Sequence, residues 1–144
     1  MNITTILFDL DGTLLPMKQE EYAKAYIGGL VKSALPYGYY PQKMKDAIIE
    51  GTVAMVKNSG EETNEKVFWN VLLKIFGPSI LENVQMFDEF YQTDFQGIRN
   101  ICGFDSRSKE ILSLAKSKGL RTVLATNPLF PLICNRKPHS LGRT

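Results

Sequence analysis

The chain has 144 residues, of which 44% are hydrophobic and 22% charged, and its formal net charge is +2. This composition is close to the globular average and excludes wholesale disorder, and the small net charge gives no reason to expect a nucleic-acid partner. No stretch approaches the roughly 20 apolar residues of a membrane span, and the first residues lack the pattern of a signal peptide. We therefore expect a cytoplasmic protein with one domain, or one domain and a small insert.

The first predicted element is a strand over residues 4–8. This run is short, apolar and rich in β-branched residues, and it stops at Asp9. Such a run is typical of a parallel strand that is buried on both faces by helices. The pair Asp11-Gly12 then predicts a turn.

Residues 17–97 follow a helical pattern that predicts four helices. The first two are separated by a turn before Pro41, and the third ends at Gly77. Ser79 and Glu82 form a capping-box pattern, which predicts that the fourth helix opens at Ser79. Apolar residues recur at helical spacing and are predicted to form the core of a small bundle: Tyr26, Leu30, Met44, Ala47, Ile48, Met55, Phe68, Trp69, Leu72, Phe76, Leu81, Val84, Phe87 and Tyr91.

After residue 97 the pattern predicts one more helix and a second strand. Asp105 is predicted to cap the helix, and Gly119 to end it. The second strand is predicted over residues 120–125, immediately before Thr126. The chain is therefore interpreted as an α/β protein with four segments: a core strand and its loop (1–16), a helical insert (17–97), a core helix and strand (98–133) and an atypical basic tail (134–144).

The string Asp9-Leu10-Asp11-Gly12-Thr13 carries the most chemical information. Ligands bind at the carboxyl ends of strands in open α/β sheets, and alternation along a strand would aim Asp9 and Asp11 in one direction. Gly12 permits a sharp turn, whose N–H groups could then face an anion. Two neighbouring carboxylates could hold Mg²⁺ beside a phosphate, or divide the roles of nucleophile and general acid.

Two other interpretations of the same string are a surface turn and a calcium-binding loop. The calcium loop is excluded because residues 13–16 lack its further oxygen ligands and its terminal Glu. A fixed Asp-x-Asp-Gly-Thr string arises by chance on the order of once in several hundred chains of this length, given average composition. The surface turn is therefore the weaker of the two remaining interpretations.

These residues resemble the haloacid dehalogenase superfamily of phosphohydrolases. Asp9-Leu10-Asp11-Gly12-Thr13 is similar to its first motif, and Leu124-Ala125-Thr126-Asn127 is similar to its second motif, an apolar strand that ends in Ser or Thr. The resemblance implies a Rossmann-like core with an α-helical cap inserted between the two motifs. Only the first two strands of that core have counterparts here.

The resemblance implies a role for each matching residue. Asp9 would be the nucleophile that forms an aspartyl-phosphate, and Asp11 would protonate the leaving oxygen and then help to activate water. Mg²⁺ would be bound by the Asp9 carboxylate and the Asp11 main-chain carbonyl, and the substrate phosphate would contact Leu10, Thr126 and Asn127. An acid at position 11 favours phosphate-ester chemistry, so the implied substrate is a small phosphorylated metabolite.

The third and fourth motifs of the family are a lysine and an acidic pair that completes the Mg²⁺ site. No Asp or Glu occurs between Asn127 and Thr144, and Lys137 is a candidate for the lysine, with a solvated tail lysine as the alternative. We therefore predict a truncated or frameshifted chain, native to about Ile133, that is weakly active or inactive and leaves strand edges unpaired. The alternative function is a non-catalytic interaction protein based on the helical segment.

Overall fold

A computed structural model describes residues 2–126 of the chain. The fold is mixed α/β and mostly helical, as predicted. None of the helices within these residues has the length and apolar character that crossing a membrane requires. The elements, in chain order, are β1 (Thr5–Phe8), α1 (Gln19–Ala34), α2 (Pro41–Val56), α3 (Asn64–Phe76), α4 (Gln85–Gln92), α5 (Asp94–Ile98), α6 (Ser106–Ser117) and β2 (Arg121–Leu124).

The chain divides into two compact units. The sheet unit comprises residues 2–23 and 98–126, and the helical unit comprises residues 24–97. Helix α1 begins in the sheet unit and continues into the helical unit. The helical unit is therefore an insertion between the two segments of chain that build the sheet.

Strands β1 and β2 pair in parallel, with Thr5 opposite Arg121 and Phe8 opposite Leu124. The ladder extends one step further, because the N–H of Ala125 donates to the carbonyl of Phe8 at 2.8 Å. Both strand predictions are confirmed to within one residue at each end. Since the strands are parallel, their carboxyl ends lie at the same edge of the sheet.

The faces of this two-stranded sheet are incompletely covered. Leu7 of β1 is 64% exposed and Leu124 of β2 is 53% exposed. The prediction that the first strand is buried on both faces is therefore wrong for the described residues. The physical reason is that α6 and the loop after β1 supply too little surface to cover a sheet that ordinarily has helices on both sides.

The helical unit has a continuous apolar core to which α1, α2, α3 and α4 all contribute. Its fully buried side chains are Leu30, Met44, Ile48, Leu72, Ile80, Met86 and Phe90. Helices α2 and α3 approach closely at Gly51, where an added Cβ would lie 2.6 Å from the Phe68 ring. The hydroxyls of Tyr26 and Tyr91 form a buried hydrogen bond of 2.6 Å, so the polar ends of these rings are satisfied within the core.

The fourth helix begins later than predicted, and the capping-box prediction is wrong. The segment Pro78–Asn83 forms 3-10 turns, and the Ser79 hydroxyl donates to the carbonyl of Phe76 at 3.4 Å. Gly77, with φ 76°, ends α3, and the proline that follows starts a tight turn. This turn buries Ile80 and leaves Leu81, which was predicted to be inward, 49% exposed.

Candidate active site

Residues 9–16 form a closed loop immediately after β1. The N–H of Leu15 donates to the carbonyl of Leu10, and the N–H of Gly12 donates to the carbonyl of Leu15, both at 2.9 Å. Gly12 has φ 78°, in the left-handed region where a side chain is strained. Because these bonds close the loop on itself, the segment that carries both candidate carboxylates has a defined shape.

The N–H groups of the loop divide into two pairs. The N–H of Gly12 and the N–H of Thr13 donate to carbonyls of the loop itself, so the expectation that N–H groups near Gly12 face an anion stays a prediction that concerns other residues of the loop. Within residues 2–126, the N–H groups of Leu10 and Asp11 make no hydrogen bond. These two N–H groups are therefore not used to close the loop.

Asp9 is held by a residue whose role the sequence did not reveal. The Thr13 hydroxyl donates to Oδ2 of Asp9 at 3.1 Å. Among the described residues, Oδ1 of Asp9 accepts no hydrogen bond. The threonine hydroxyl therefore contacts one carboxylate oxygen of Asp9 and leaves the other without a partner among the described residues. The only signal in the sequence is the spacing, in which a hydroxyl residue follows the aspartate by four positions.

Asp11 differs from Asp9 in its electrostatic environment. Partial burial, and secondly the negative charge of Asp9, raise the pKa of the Asp11 carboxyl above its ordinary value. A carboxyl with a raised pKa keeps its proton to higher pH, which is the property that a general acid needs.

The loop is tied to the start of α6 by two short hydrogen bonds. The Ser108 hydroxyl donates to the carbonyl of Leu14, and the N–H of Gly103 donates to the carbonyl of Pro16, both at 2.7 Å. Neither contact follows from a motif in the sequence. They connect the two chain segments of the sheet unit and fix the loop from its far end.

Thr126 lies two residues beyond the end of β2 and is partly buried. The parallel register places it at the sheet edge that also carries the 9–16 loop. The structure therefore assigns Asp9, Asp11 and Thr126 to one edge of one sheet. Asn127, Lys137 and the predicted tail lie outside the described residues.

The strand edge offers few oxygen ligands for a Mg²⁺ ion. Residues 2–126 contain no group of three or more His, Cys, Asp or Glu side chains that could hold a metal. The edge does offer the Asp9 and Asp11 carboxylates and the Asp11 carbonyl. Mg²⁺ in phosphate sites commonly uses one or two carboxylates and fills its remaining positions with water and substrate oxygens. A Mg²⁺ site at this edge would be of that sparse kind.

A groove of about 750 Å³ opens beside the loop, against α6 and the sheet. Six of its lining residues are apolar and the others are hydroxyl residues and lysines: Phe8, Leu10, Leu14, Leu112, Val123 and Leu124, with Ser108, Ser113, Thr122, Lys109 and Lys116. Neither Asp9 nor Asp11 lines it. The groove is therefore the uncovered apolar face of the sheet unit, and the candidate active site is the adjacent strand edge.

Comparisons with protein families, with curated proteins and with solved structures find no match to this chain. The chemistry proposed below therefore depends on the residues of the site themselves.

Proposed function

We propose that this chain is a Mg²⁺-dependent phosphohydrolase of the haloacid dehalogenase type, which cleaves a small phosphate monoester through an aspartyl-phosphate. The observation that carries the proposal is the arrangement at the strand edge. A closed loop presents Asp9 and Asp11 after β1, and the adjacent parallel strand ends beside it at Thr126. Ligands of parallel α/β sheets bind at this kind of edge. In this proposal the helical unit is the cap.

In the first step, Oδ1 of Asp9 attacks phosphorus while the bond from phosphorus to the ester oxygen breaks. The electron pair of that bond stays on the leaving oxygen, which takes a proton from the Asp11 carboxyl. The hydrogen bond from Thr13 to Oδ2 supports this assignment, because it orients the carboxylate and leaves Oδ1 available. The products are an alcohol and phosphorylated Asp9.

In the second step, Asp11 acts as the base. Its carboxylate takes a proton from water, and the water oxygen attacks phosphorus as the bond to the Asp9 oxygen breaks. Inorganic phosphate leaves, Asp9 is again a carboxylate, and Asp11 is again protonated. One water and one monoester have become one alcohol and one phosphate, so a single residue serves both proton transfers.

The negative charge of the phosphoryl group needs hydrogen-bond donors throughout. The Thr126 hydroxyl and the Leu10 N–H are the donors that we assign to it. Mg²⁺, held by the Asp9 carboxylate and the Asp11 carbonyl, would reduce the repulsion between carboxylate and phosphate. Because one carboxylate and one carbonyl make a weak Mg²⁺ site, we expect slow turnover from the 144-residue chain and a requirement for high Mg²⁺ concentrations.

The experiment is hydrolysis of an aryl phosphate, together with detection of the phosphorylated protein by mass spectrometry. We expect slow, Mg²⁺-dependent hydrolysis that is abolished in Asp9→Asn and unaffected in Asp88→Asn, which removes an exposed carboxylate from the helical unit. Asp11→Asn should hydrolyse the substrate more slowly than the wild type. It should also accumulate protein phosphorylated on Asp9, because it cannot activate water. Equal hydrolysis by the wild type and Asp9→Asn, with no phosphorylated protein, would contradict the proposal.

A non-catalytic interaction protein is the second candidate. The observation that favours it is the distribution of buried side chains, since every fully buried large side chain among the described residues lies in the helical unit. That unit has the core of a stable binding module. Absence of phosphorylation at Asp9 with retained folding of the helical unit would favour this candidate.

A further inference from the structure

The groove beside the 9–16 loop follows one side of α6. All of its lining residues belong to the sheet unit. On the other side of the groove lies the uncovered face of the sheet, where Leu124 is 53% exposed. We refer to this space as the α6 groove. The α6 residues that line it recur at helical spacing over about two turns: Ser108, Lys109, Leu112, Ser113 and Lys116.

The apolar wall of the α6 groove is the kind of surface that a helix covers. Parallel sheets occur almost only where helices cover both faces. Helix α6 contacts β2, but it leaves Phe8, Leu10 and Leu124 lining the groove. A second helix that lies alongside α6, with about 8–10 Å between the two axes, would bury these side chains.

The charged residues that line the α6 groove are all basic. Lys109 and Lys116 line it, and no Asp or Glu does. Neither lysine forms an ion pair with any residue of the described chain. Glu110 is the one acidic residue of α6 and does not line the groove, and Asp105 at the start of α6 is paired with Arg107. The α6 groove therefore favours an occupant that is both apolar and negatively charged.

The spacing of the two lysines adds a geometric condition. Lys109 and Lys116 are seven residues apart, which is close to two turns of α6 and a rise of about 10.5 Å. A helix packed along α6 presents two carboxylates at the same interval when its acidic residues are also seven positions apart. Charged pairs of this kind between neighbouring helices select the partner and its orientation.

We propose that the α6 groove binds an amphipathic helix of a partner protein, which carries apolar side chains on one face and two acidic residues seven positions apart beside it. The apolar face covers Leu112 and Leu124, and the two acids pair with Lys109 and Lys116. The end of this chain does not match that charge pattern, since residues 127–144 contain basic residues and no Asp or Glu. The inference does not depend on the phosphohydrolase proposal, because the candidate aspartates do not line the groove.

The test measures binding of a fluorescein-labelled synthetic helical peptide to the full chain by fluorescence anisotropy. The glutamate peptide carries leucines on one face and two glutamates seven residues apart, and the lysine peptide carries lysines in place of these glutamates. We expect the glutamate peptide to bind with a dissociation constant below about 100 μM, and the lysine peptide to bind at least about tenfold more weakly.

Reversal of the groove charges tests whether the two lysines determine this preference. The double variant Lys109→Glu with Lys116→Glu should bind the lysine peptide more tightly than the glutamate peptide. The control is Lys45→Glu with Lys74→Glu, which changes the net charge equally at two exposed lysines of the helical unit and should leave the preference unchanged. Circular dichroism of each variant verifies that its helices are formed.

A second pair of variants tests the apolar wall. Leu124→Gln should weaken binding of the glutamate peptide about fivefold, because it removes an apolar contact without adding a charge. Leu7→Gln is the matched control, since Leu7 is an exposed strand leucine that does not line the groove.

Four results would overturn the proposal. Three of them are the absence of saturable binding of the glutamate peptide to the wild type, equal binding of the two peptides, and a preference that Lys109→Glu with Lys116→Glu leaves unchanged. The fourth is self-association of the wild type in sedimentation velocity that Leu124→Gln abolishes, because a second copy would then be the occupant of the groove.

Discussion

The two units of this molecule differ in where they place their apolar side chains. In the helical unit, apolar side chains of α1 to α4 are buried against one another, and the hydroxyls of Tyr26 and Tyr91 are paired. In the sheet unit, only Ile98 and Ala115 of the described residues are buried, and Leu7 and Leu124 are largely exposed. The unit with the most buried apolar side chains thus carries no candidate chemistry, and the unit with the candidate chemistry fully buries few of its side chains.

Substitution of one leucine in each unit tests most directly whether the two units differ in buried apolar surface. Leu72 is fully buried in α3, so Leu72→Ala should lower the free energy of unfolding by about 2–5 kcal/mol, because it removes buried methyl groups and leaves a cavity. Leu7→Ala, in the exposed β1 position, should change it by less than about 0.5 kcal/mol. Denaturant unfolding measures both. Similar losses for the two variants would mean that the sheet unit has a core of its own.

Two adjacent glycines of α1 probe how tightly the helical core is packed. An added Cβ at Gly29 would lie 2.6 Å from Cε2 of Phe90, whereas at Gly28 it would have no neighbour within 4 Å. Gly28→Ala should stabilise by about 0.5–1 kcal/mol through helix propensity. Gly29→Ala should destabilise by about 1–2 kcal/mol, since overpacking exceeds that gain. Thermal unfolding should therefore shift in opposite directions, and equal shifts would indicate a loose core at Phe90.

The residues that cap two helices sharpen the comparison. Thr63 caps α3 in the helical unit and does not titrate, whereas Asp105 caps α6 in the sheet unit and does. Thr63 of the helical unit accepts the N–H of Lys66, so Thr63→Ala should cost about 1 kcal/mol at any moderate pH. Asp105 of the sheet unit accepts from the Arg107 side chain and main chain, and these bonds hold the pKa of Asp105 below its ordinary value.

The sign of the pH effect at Asp105 follows from that lowered pKa. The stabilisation by Asp105 is complete above the unfolded-state pKa of an aspartate and is lost as the pH falls through the lower folded-state pKa. Asp105→Ala should therefore destabilise near neutral pH and have little effect in strong acid. Unfolding curves at both pH values test this, with Thr63→Ala as the pH-independent control. If Asp105→Ala lowered the free energy of unfolding equally at both pH values, the stabilisation would not depend on the ionised Asp105 carboxylate.

The smallest expected effect on stability concerns Asp11. Its change with pH has the opposite sign to that of Asp105. Burial and the charge of Asp9 raise the pKa of Asp11, so its ionised form is the less favourable one in the folded state. The folded state is therefore slightly less stable above that pKa than below the unfolded-state value. Asp11→Asn should raise the melting temperature slightly near neutral pH without Mg²⁺, and leave it unchanged in acid. A lower melting temperature at neutral pH would show that the charge of Asp11 stabilises the loop.

Much of the fold followed from local patterns in the sequence. The two strands, the helices α1, α2, α3 and α6, and the Asp105 cap were all predicted, because periodic apolar residues and punctuating Gly, Pro and Asp specify them locally. The start of α4 was mispredicted because Ser79 and Glu82 satisfy a cap pattern, while the actual backbone depends on the tertiary burial of Ile80. Such burial competes with local capping and has no local signature.

The residues of the candidate site could be predicted from the sequence, but most of its hydrogen bonds could not. The motif and the parallel order of strands place Asp9, Asp11 and Thr126 at one edge. The hydrogen bond from Thr13 to Asp9, and the use of the turn N–H groups within the loop, depend on the closed backbone shape. The contact of Ser108 with Leu14 joins residues from opposite ends of the described chain, which spacing in the sequence cannot reveal.

The parallel pairing of β1 with β2 has a consequence for the order of folding. Almost the whole described chain separates Thr5 from its partner Arg121, whereas the most extensive contact between helices joins α2 to the next helix, α3. Contacts between distant residues form slowly because a long loop must close first. We therefore expect the helices to form early, both during refolding and during synthesis, and the strand pair to form last. The edge that carries the aspartates is then assembled only in the final step, and the apolar β1 stays unpaired until β2, which follows α6, has been made.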